Sequence, residues 1–313
     1  MRHVVVRLVL LPLIILAAHG LGFAYAWYAR PLHAVRNPNF AGGLDSVPLF
    51  DAYRSYWWGM LAGDLGVLPR SGLPLGAVLL DALGKSLGLL IPALVFSSIL
   101  GVVIGRRAVD SRRGGIAPWL TVGAALGMAM PGVFIGSLAI AALFAYLIWG
   151  PGDPPLPLRG FGWDAHLILP LLVLCVRPAA QVAQITSGLL VAELGKPYLT
   201  AARSRGVAER DLINRHAFRP ALAPLFQTIA GSFRLLIAEL IVVEKLFDWP
   251  GLGHLLAQAL IPSRISIAAE SPYFLHMPLL AGLLACLAGM LVMADLLAGM
   301  AARGIDPRLR SSV

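Results

Sequence analysis

The chain has 313 residues, of which 58% are hydrophobic and 13% are charged, and its mean hydropathy is +0.79. Soluble domains carry about 25% charged residues, so this composition excludes an ordinary soluble enzyme and predicts an integral membrane protein. The net charge of +9 does not indicate nucleic acid, because the basic residues gather between apolar segments, as they do in membrane proteins with basic cytoplasmic loops.

The first apolar segment runs from Val4 to Tyr28 and is long enough to cross the hydrocarbon core of a bilayer. A secretory signal peptide is the alternative interpretation, because Ala24–Tyr25–Ala26 resembles a small-residue cleavage site. The apolar run is longer than the core of a signal peptide, and more apolar segments follow it. We therefore expect a retained transmembrane helix.

A polar stretch rich in proline and glycine extends from Arg30 to Leu83. It contains a cluster of aromatic residues: Tyr53, Tyr56, Trp57 and Trp58. Tyrosine and tryptophan are enriched at the membrane–water interface, so the cluster predicts an interfacial belt rather than a ligand cage.

The second apolar segment, Ser86 to Gly105, carries two glycines four residues apart, Gly101 and Gly105. This spacing lets another helix approach closely. Gly84–Lys85–Ser86 resembles the end of a phosphate-binding loop, but the first glycine of that motif would fall at position 79, which is Leu79.

Gly195–Lys196 fails the same test, because position 190 is Leu190 and Pro197 stands where the motif needs Ser or Thr. Without the first glycine the backbone does not wrap a phosphate. We expect that this chain does not hydrolyse ATP.

The stretch from Ile116 to Trp149 contains no charged residue. As one helix it would be ~50 Å long, more than a bilayer core of ~30 Å requires. It is either one long broken span or two spans hinged at Pro131–Gly132. If the stretch is a single span, most lysines and arginines of the chain lie in the cytoplasm, so the positive-inside rule favours a single span. The prediction is therefore six spans with both termini in the cytoplasm.

Three further apolar segments complete the predicted bundle: His166 to Ala192, Ala221 to Phe247 and Leu275 to Ala302. Charged residues inside a membrane are costly and usually face protein or a water-filled cavity. The segments carry five of them, which either line a translocation path or pair between helices: Arg177, Arg234, Glu239, Glu244 and Asp295. Asp295 is near the predicted cytoplasmic end, which favours a structural pair. Counting residues from the ends of their spans places Arg177 and Glu239 at similar depth, which predicts that these two interact.

No metal site is expected from the sequence. His19 and His33 are isolated, whereas metal ligation needs several converging donors. Cys175 and Cys286 lie inside separate apolar segments, which indicates small core residues rather than a disulfide or a metal pair.

The longest densely charged run, Lys196 to Pro224, lies between two apolar segments. Pro197 is placed to open a short helix, and Gly206 is placed to end it in a left-handed turn. Glu209 to Phe218 then predicts a second short helix that Pro220 stops. 

On that second helix, Leu212, Ile213 and His216 fall on one side, with Arg210, Arg215 and Arg219 elsewhere around it. A DNA-binding helix-turn-helix is the alternative, since it also joins two helices by a glycine-containing turn. We reject it because long apolar segments flank the pair and leave no soluble core. The run is therefore expected to be a loop at a membrane surface.

The same run, YLTAARSRGVAERDLINRHAFRPALAP, resembles the cytoplasmic loop of membrane subunits of binding-protein-dependent ABC importers. It is most similar to the branch that transports dipeptides, oligopeptides and nickel complexes. The general family motif begins Glu-Ala-Ala, where this chain has Thr200–Ala201–Ala202, and the peptide branch commonly lacks the acidic residue. The resemblance implies that ten residues couple the chain to an ATPase: Tyr198, Thr200, Ala201, Ala202, Arg205, Gly206, Glu209, Arg210, Leu212 and His216.

Further stretches carry the same resemblance, which covers about Gly63 to Arg310. Residues 63–95 resemble these permeases, although Val67 stands where serine is usual. VVEKLFDWPGLGHLL closely resembles a periplasmic turn of the family and contains Trp249, Pro250, Gly251 and Gly253. Ser271–Pro272–Tyr273 replaces the usual Asp-Tyr-Pro, and the tail Asp306–Pro307–Arg308 matches the family again.

The resemblance implies an all-α integral membrane protein of the bacterial inner membrane, with the type I ABC importer permease fold. Residues 1–83 would hold the first span and an extracytoplasmic loop, and residues 84–313 the core domain with its coupling loop at 193–220. The expected partners are a second, homologous permease subunit in a heterodimer, two ABC ATPase subunits, an extracytoplasmic substrate-binding protein and the lipid bilayer, without nucleic acid.

The implied function is to form half of a path for peptides or similar small solutes. This chain would need no cofactor, because ATP and Mg²⁺ bind to the partner ATPases. A stand-alone ion-coupled transporter or channel is the alternative, but it has no need of the basic helix-glycine-helix loop and usually shows internal repeats. A membrane enzyme would need clustered His, Asp or Ser residues, which the sequence lacks.

Overall fold

The protein is almost entirely helical. The computed structural model describes residues 2–36, 47–69, 71–110, 114–262 and 273–305. Eleven α-helices lie in these ranges: α1 Arg2–Arg36, α2 Leu49–Leu61, α3 Leu75–Arg107, α4 Pro118–Ala129, α5 Gly132–Trp149, α6 Ile168–Leu194, α7 Pro197–Ser204, α8 Glu209–Asp211, α9 Phe218–Leu246, α10 Leu252–Leu260 and α11 Met277–Ile305.

Two kinds of short element join these helices. A 3-10 turn, Ala165–Leu167, leads into α6, and a π-helical segment, Leu212–Ala217, joins α8 to α9. Two strands of two residues each, β1 Val109–Asp110 and β2 Gly115–Ile116, pair antiparallel with Val109 opposite Ile116. This hairpin connects α3 to α4.

Six stretches of helix are long and apolar enough to cross a membrane: Leu11–Val35, Leu75–Arg107, Gly132–Trp149, Ala165–Leu194, Glu209–Leu246 and Met277–Leu296. The prediction of an all-helical protein with six spans is confirmed. The uncharged stretch after the second span contributes one of the six, α5, together with the shorter apolar helix α4.

The break in that uncharged stretch is at the predicted proline. Met130 and Pro131 both adopt extended backbone, with ψ of 120° and 143°, between the end of α4 and the start of α5. Proline disfavours helical backbone at the residue before it and has no N–H to continue the helix. Pro131 therefore ends α4 and leaves Gly132 as the first residue of α5.

The chain forms two compact units that interleave along the sequence. One comprises residues 1–87 and 248–292, and the other comprises residues 88–247 and 293–313. The division expected at residue 83 rests on the family resemblance and stays a prediction.

In the first unit, α1 and α11 make a close backbone contact. A Cβ at Gly22 would lie 2.6 Å from the carbonyl oxygen of Leu280. α1 also packs against α2, where Tyr56 stacks on His19 and the Tyr53 hydroxyl lies 3.0 Å from His19 Nδ1. Trp58 is exposed. Most of the aromatic cluster, by contrast, packs within the protein at the contact between α1 and α2.

In the second unit, α6 is the central helix and packs against α9, α4 and α5. Its contact with α3 depends on the two glycines that the sequence singled out. A Cβ at Gly101 would lie 2.7 Å from Val182 Cβ, and one at Gly105 would lie 2.5 Å from the carbonyl oxygen of Ala183. The predicted close approach of another helix is confirmed, and that helix is α6.

We expect Gly105→Leu to destabilise the protein, because α3 must move away from α6 to make room for the side chain. Overpacking of this kind costs about 1–3 kcal/mol, which should lower the midpoint of thermal unfolding of the purified protein in detergent. Gly123→Leu on α4 is the matched control, since nothing lies within 4 Å of a Cβ at that position. Equal midpoints for the two variants would contradict the close contact.

Candidate functional site

The charged run between α6 and α9 folds as a helix-turn element, which we define as residues 196–220. Pro197 is the first residue of α7, as predicted. Gly206 has φ +81°, which is the left-handed conformation that the sequence predicts. The backbone N–H of Gly206 donates to Arg203 and that of Val207 to Ala202, at 3.0 and 3.3 Å, so the turn closes the end of α7.

The second half of the helix-turn element differs from the prediction. Pro220 does not stop a helix, because α8 passes through the π-helical segment into α9, which begins at Phe218 and continues through Pro220. Proline is tolerated in the first turn of a helix, where its missing N–H is not needed. The π-helical segment lies directly before that first turn. Its hydrogen bonds close a wider turn than those of an α-helix, and such segments often occur as bulges within helices.

The π-helical segment also changes which residue faces inward. His216 is exposed, and Ala217 instead joins Leu212 on the buried side. His216 therefore does not share the buried side of Leu212, because the π-helical turn is wider than the α-helical turn assumed from the spacing. Ile213 does pack against the buried side, as predicted.

The underside of the helix-turn element is one hydrophobic core shared with both flanking spans. Its buried members come from the end of α6, from α7, from the π-helical segment and from the start of α9: Leu190, Leu194, Leu199, Leu212, Ala217 and Ala221. A displacement of the helix-turn element would therefore act directly on the ends of two membrane spans.

Polar contacts hold α7 to the end of α6. Glu193, which is 9% exposed, accepts hydrogen bonds from the Tyr198 hydroxyl and from Lys196 Nζ, both at 2.6 Å. Desolvation of the hydroxyl and its hydrogen bond to Glu193 raise the pKa of Tyr198 to about 12, so the phenol stays a donor. Glu193 was not predicted, because its two partners lie beyond the end of α6, where helical spacing no longer applies.

Two further contacts fix the helix-turn element. Arg203 Nε lies 3.1 Å from Glu209 Oε1, so an ion pair bridges the turn at Gly206. Arg106, at the end of α3, donates to the side-chain oxygen of Asn214 and lies over the ring of Phe218, 4.6 Å from its centroid. No sequence pattern indicates this contact between α3 and the π-helical segment.

The outer face of the helix-turn element presents most of the residues that the resemblance implied for coupling. Ala202 and Glu209 are half-buried and Leu212 is fully buried in the shared core. The other seven are exposed: Tyr198, Thr200, Ala201, Arg205, Gly206, Arg210 and His216. The structure thus brings a polar face and an apolar underside together in one small element.

The charged residues inside the spans are paired or buried. Arg177 Nη1 lies 2.5 Å from Glu239 Oε1, so the two residues form the ion pair that their depths predict. Arg234 Nη2 lies 2.5 Å from Asp295 Oδ1, and both of these side chains are about half exposed. Glu244 is fully buried.

The predicted turn after α9 is held in place by hydrogen bonds. Trp249 is fully buried, and its Nε1 donates to the carbonyl oxygen of Lys85 at 3.1 Å. The backbone N–H of Leu252 donates to Ser86 Oγ at 2.8 Å. Pro250 is half-buried, and Gly251 and Gly253 are buried. No sequence pattern indicated that Ser86 accepts a hydrogen bond from this turn.

Two of the family-like stretches, Ser271–Pro272 and Asp306–Pro307–Arg308, lie outside the described residues. Within the residues that the structure describes, no group of three or more His, Cys, Asp or Glu side chains is placed to hold a metal ion.

The six spans and the helix-turn element between the fourth and fifth define a membrane subunit of a transport system. Residues 87–311 match the family described as binding-protein-dependent transport system inner membrane component, and the chain belongs to this family. It is a permease subunit of an ABC importer and a multi-pass protein of the bacterial inner membrane.

Several curated relatives are similar over most of their length. The chain is 30% identical to the dipeptide transport system permease protein DppB of Escherichia coli K12, over 86% of this chain and 83% of that one. It is 33% identical to the glutathione transport system permease protein GsiC of Escherichia coli O6:H1, over 69% of each. A putative peptide transport permease of Brucella suis is 28% identical over 74% of each.

We expect Ser86→Ala to destabilise the turn at Trp249. The substitution leaves the buried N–H of Leu252 without its acceptor, which typically costs about 1–3 kcal/mol. Ser98→Ala on the same helix is the control, because the buried Ser98 hydroxyl has no hydrogen-bond partner within the described part of the chain. Thermal unfolding in detergent should show a lower midpoint for Ser86→Ala only; a similar loss in both variants would contradict this role.

Proposed function

We propose that this permease subunit forms half of a translocation path for peptides or similar small solutes, and that an ATPase drives it through the helix-turn element. The observation that carries the proposal is the construction of that element, with a polar outer face on a core shared by the ends of α6 and α9. The relatives named for dipeptide and glutathione transport support a peptide-like substrate.

The proposed assembly contains two ABC ATPase subunits, a second, homologous permease subunit and an extracytoplasmic substrate-binding protein. The description of the family supports the binding protein. A path through the membrane between two homologous permeases would give each of them half of its lining. ATP and Mg²⁺ would bind to the ATPases, and this chain would hold no cofactor.

The helix-turn element faces the cytoplasm in this proposal, and both termini lie on the same side. Two arguments favour that orientation. The element is rich in arginine, as cytoplasmic loops are, and the ATP that drives an importer is cytoplasmic. With six spans, the two termini necessarily share one side of the membrane.

Movement would reach the membrane through two connections. Glu193 holds α7 to α6 through Tyr198 and Lys196. On the other side, the π-helical segment is continuous with α9. When an ATPase moves the outer face of the element, α6 and α9 would move with it. These two helices carry four of the charged residues inside the spans: Arg177, Arg234, Glu239 and Glu244.

We expect Gly206→Val to abolish substrate uptake while the protein stays in the membrane. No atom lies within 4 Å of a Cβ at this position, so the penalty comes from the left-handed backbone alone, about 1–2 kcal/mol. Relief of that strain would reorient α7 against α8 and misalign the outer face with the ATPase.

Gly206→Asn is the matched control, because asparagine adopts left-handed backbone more readily than other residues. Uptake and membrane abundance should be measured for both variants in cells that express the whole importer. Normal uptake by a well-expressed Gly206→Val variant would contradict the proposal that this turn transmits ATPase movement.

A further inference from the structure

One face of α6 is polar although the helix crosses the membrane. Arg177, Gln181, Gln184 and Gly188 follow one another at spacings of four, three and four residues, so they share a side of the helix. All four are partly exposed, whereas more than half of the other residues of α6 are buried against its neighbours. Charged residues and amides facing lipid are costly, which indicates that this face lines an aqueous space.

The ion pair at the start of this polar face leaves hydrogen-bonding capacity unused. Arg177 and Glu239 share one contact, from Nη1 to Oε1 at 2.5 Å. Arg177 Nε and Glu239 Oε2 are both buried, and neither has a hydrogen-bond partner in the described ranges of the chain. Buried polar atoms without partners are uncommon, so this pair lacks the full set of hydrogen bonds expected of a purely structural ion pair.

The pair of Arg234 with Asp295 is different. Its Nε and Nη2 both reach Asp295 Oδ1, at 2.6 and 2.5 Å. That guanidinium is already engaged through two nitrogens, as expected for a contact that joins two helices. Arg177 uses one nitrogen in its contact with Glu239, and its side chain is 29% exposed, so it remains accessible from the polar face of α6.

Glu239 has a second stabilising contact besides Arg177. A Cβ at Gly132 would lie 3.4 Å from Glu239 Oε2, so the carboxylate packs against the first residue of α5, just after the helix break. The N-terminus of a helix carries partial positive charge and stabilises an anion. Glu239 therefore keeps favourable electrostatics when the Arg177 guanidinium turns partly toward another acceptor.

We propose that Arg177 binds the carboxylate of the transported solute, with Glu239 holding the guanidinium ready and Gln181 and Gln184 extending the polar surface beside it. A guanidinium binds a carboxylate through two parallel N–H donors, and Arg177 has donors to spare. This inference rests on the proposed function, because peptides carry a free carboxylate. In this proposal Arg177 contacts a ligand, whereas in a purely structural ion pair with Glu239 it would contact none.

A charge-neutral double variant separates binding from structure. Arg177→Met alone leaves Glu239 buried without its partner and is expected to lower membrane abundance. Arg177→Met with Glu239→Gln removes both charges and should restore abundance. If Arg177 binds substrate, uptake per molecule of the double variant should still be about tenfold or more below wild type, the loss expected for one charge-assisted contact.

The assay uses the whole importer in proteoliposomes, with both permeases, the ATPases and the binding protein, and radiolabelled alanyl-alanine as the probe. The control neutralises the exposed Asp51–Arg54 pair on α2, as Asp51→Asn with Arg54→Met, and should retain wild-type uptake. ATP hydrolysis stimulated by the loaded binding protein should persist in every variant that accumulates.

Recovery of both abundance and uptake in the double variant would overturn the inference, because the pair would then be structural only. If that variant fails to accumulate, Arg177→Lys decides the question. Lysine keeps the charge but not the paired donors, so uptake should fall severalfold, and unchanged uptake would contradict carboxylate binding. If the wild-type importer hydrolyses ATP but takes up no alanyl-alanine, the peptide substrate is wrong, and this inference fails with it.

Discussion

The packing of α6 against α9 is the contact on which the second unit depends. Each of these spans carries a charge that the hydrocarbon of a bilayer does not solvate. The contact between Arg177 and Glu239 at 2.5 Å lowers that cost by placing the two charges together. Because breaking such a pair leaves one charge buried alone, the two helices are held at a fixed depth relative to each other.

The same two helices end in the helix-turn element, and this continuity links the membrane to its surface. Leu190 and Leu194 at the end of α6 share a core with Leu199 of α7 and Leu212 of the π-helical segment. Glu193 adds two polar contacts to this core. An element packed in this way would move together with the ends of both spans, as a part that transmits movement between subunits must.

The sequence predicted the features that depend on local chemistry. Pro131 breaks the long apolar stretch because it has no N–H, and Gly206 takes the left-handed turn because it has no Cβ. The pairing of Arg177 with Glu239 followed from counting residues along two antiparallel spans. The π-helical segment was not predictable, since it depends on packing, and Arg106 contacts Asn214 across 108 residues of sequence.

The central claim is that the outer face of the helix-turn element contacts an ATPase subunit. The most direct test incorporates the photo-crosslinker p-benzoylphenylalanine at Ala201, which is exposed on α7, in cells that express the whole importer. Leu138, 53% exposed on α5, is the comparison position. The account predicts a crosslink to an ATPase subunit from position 201 and none from position 138. Absence of an ATPase adduct at 201, or equal adducts at both positions, would contradict it.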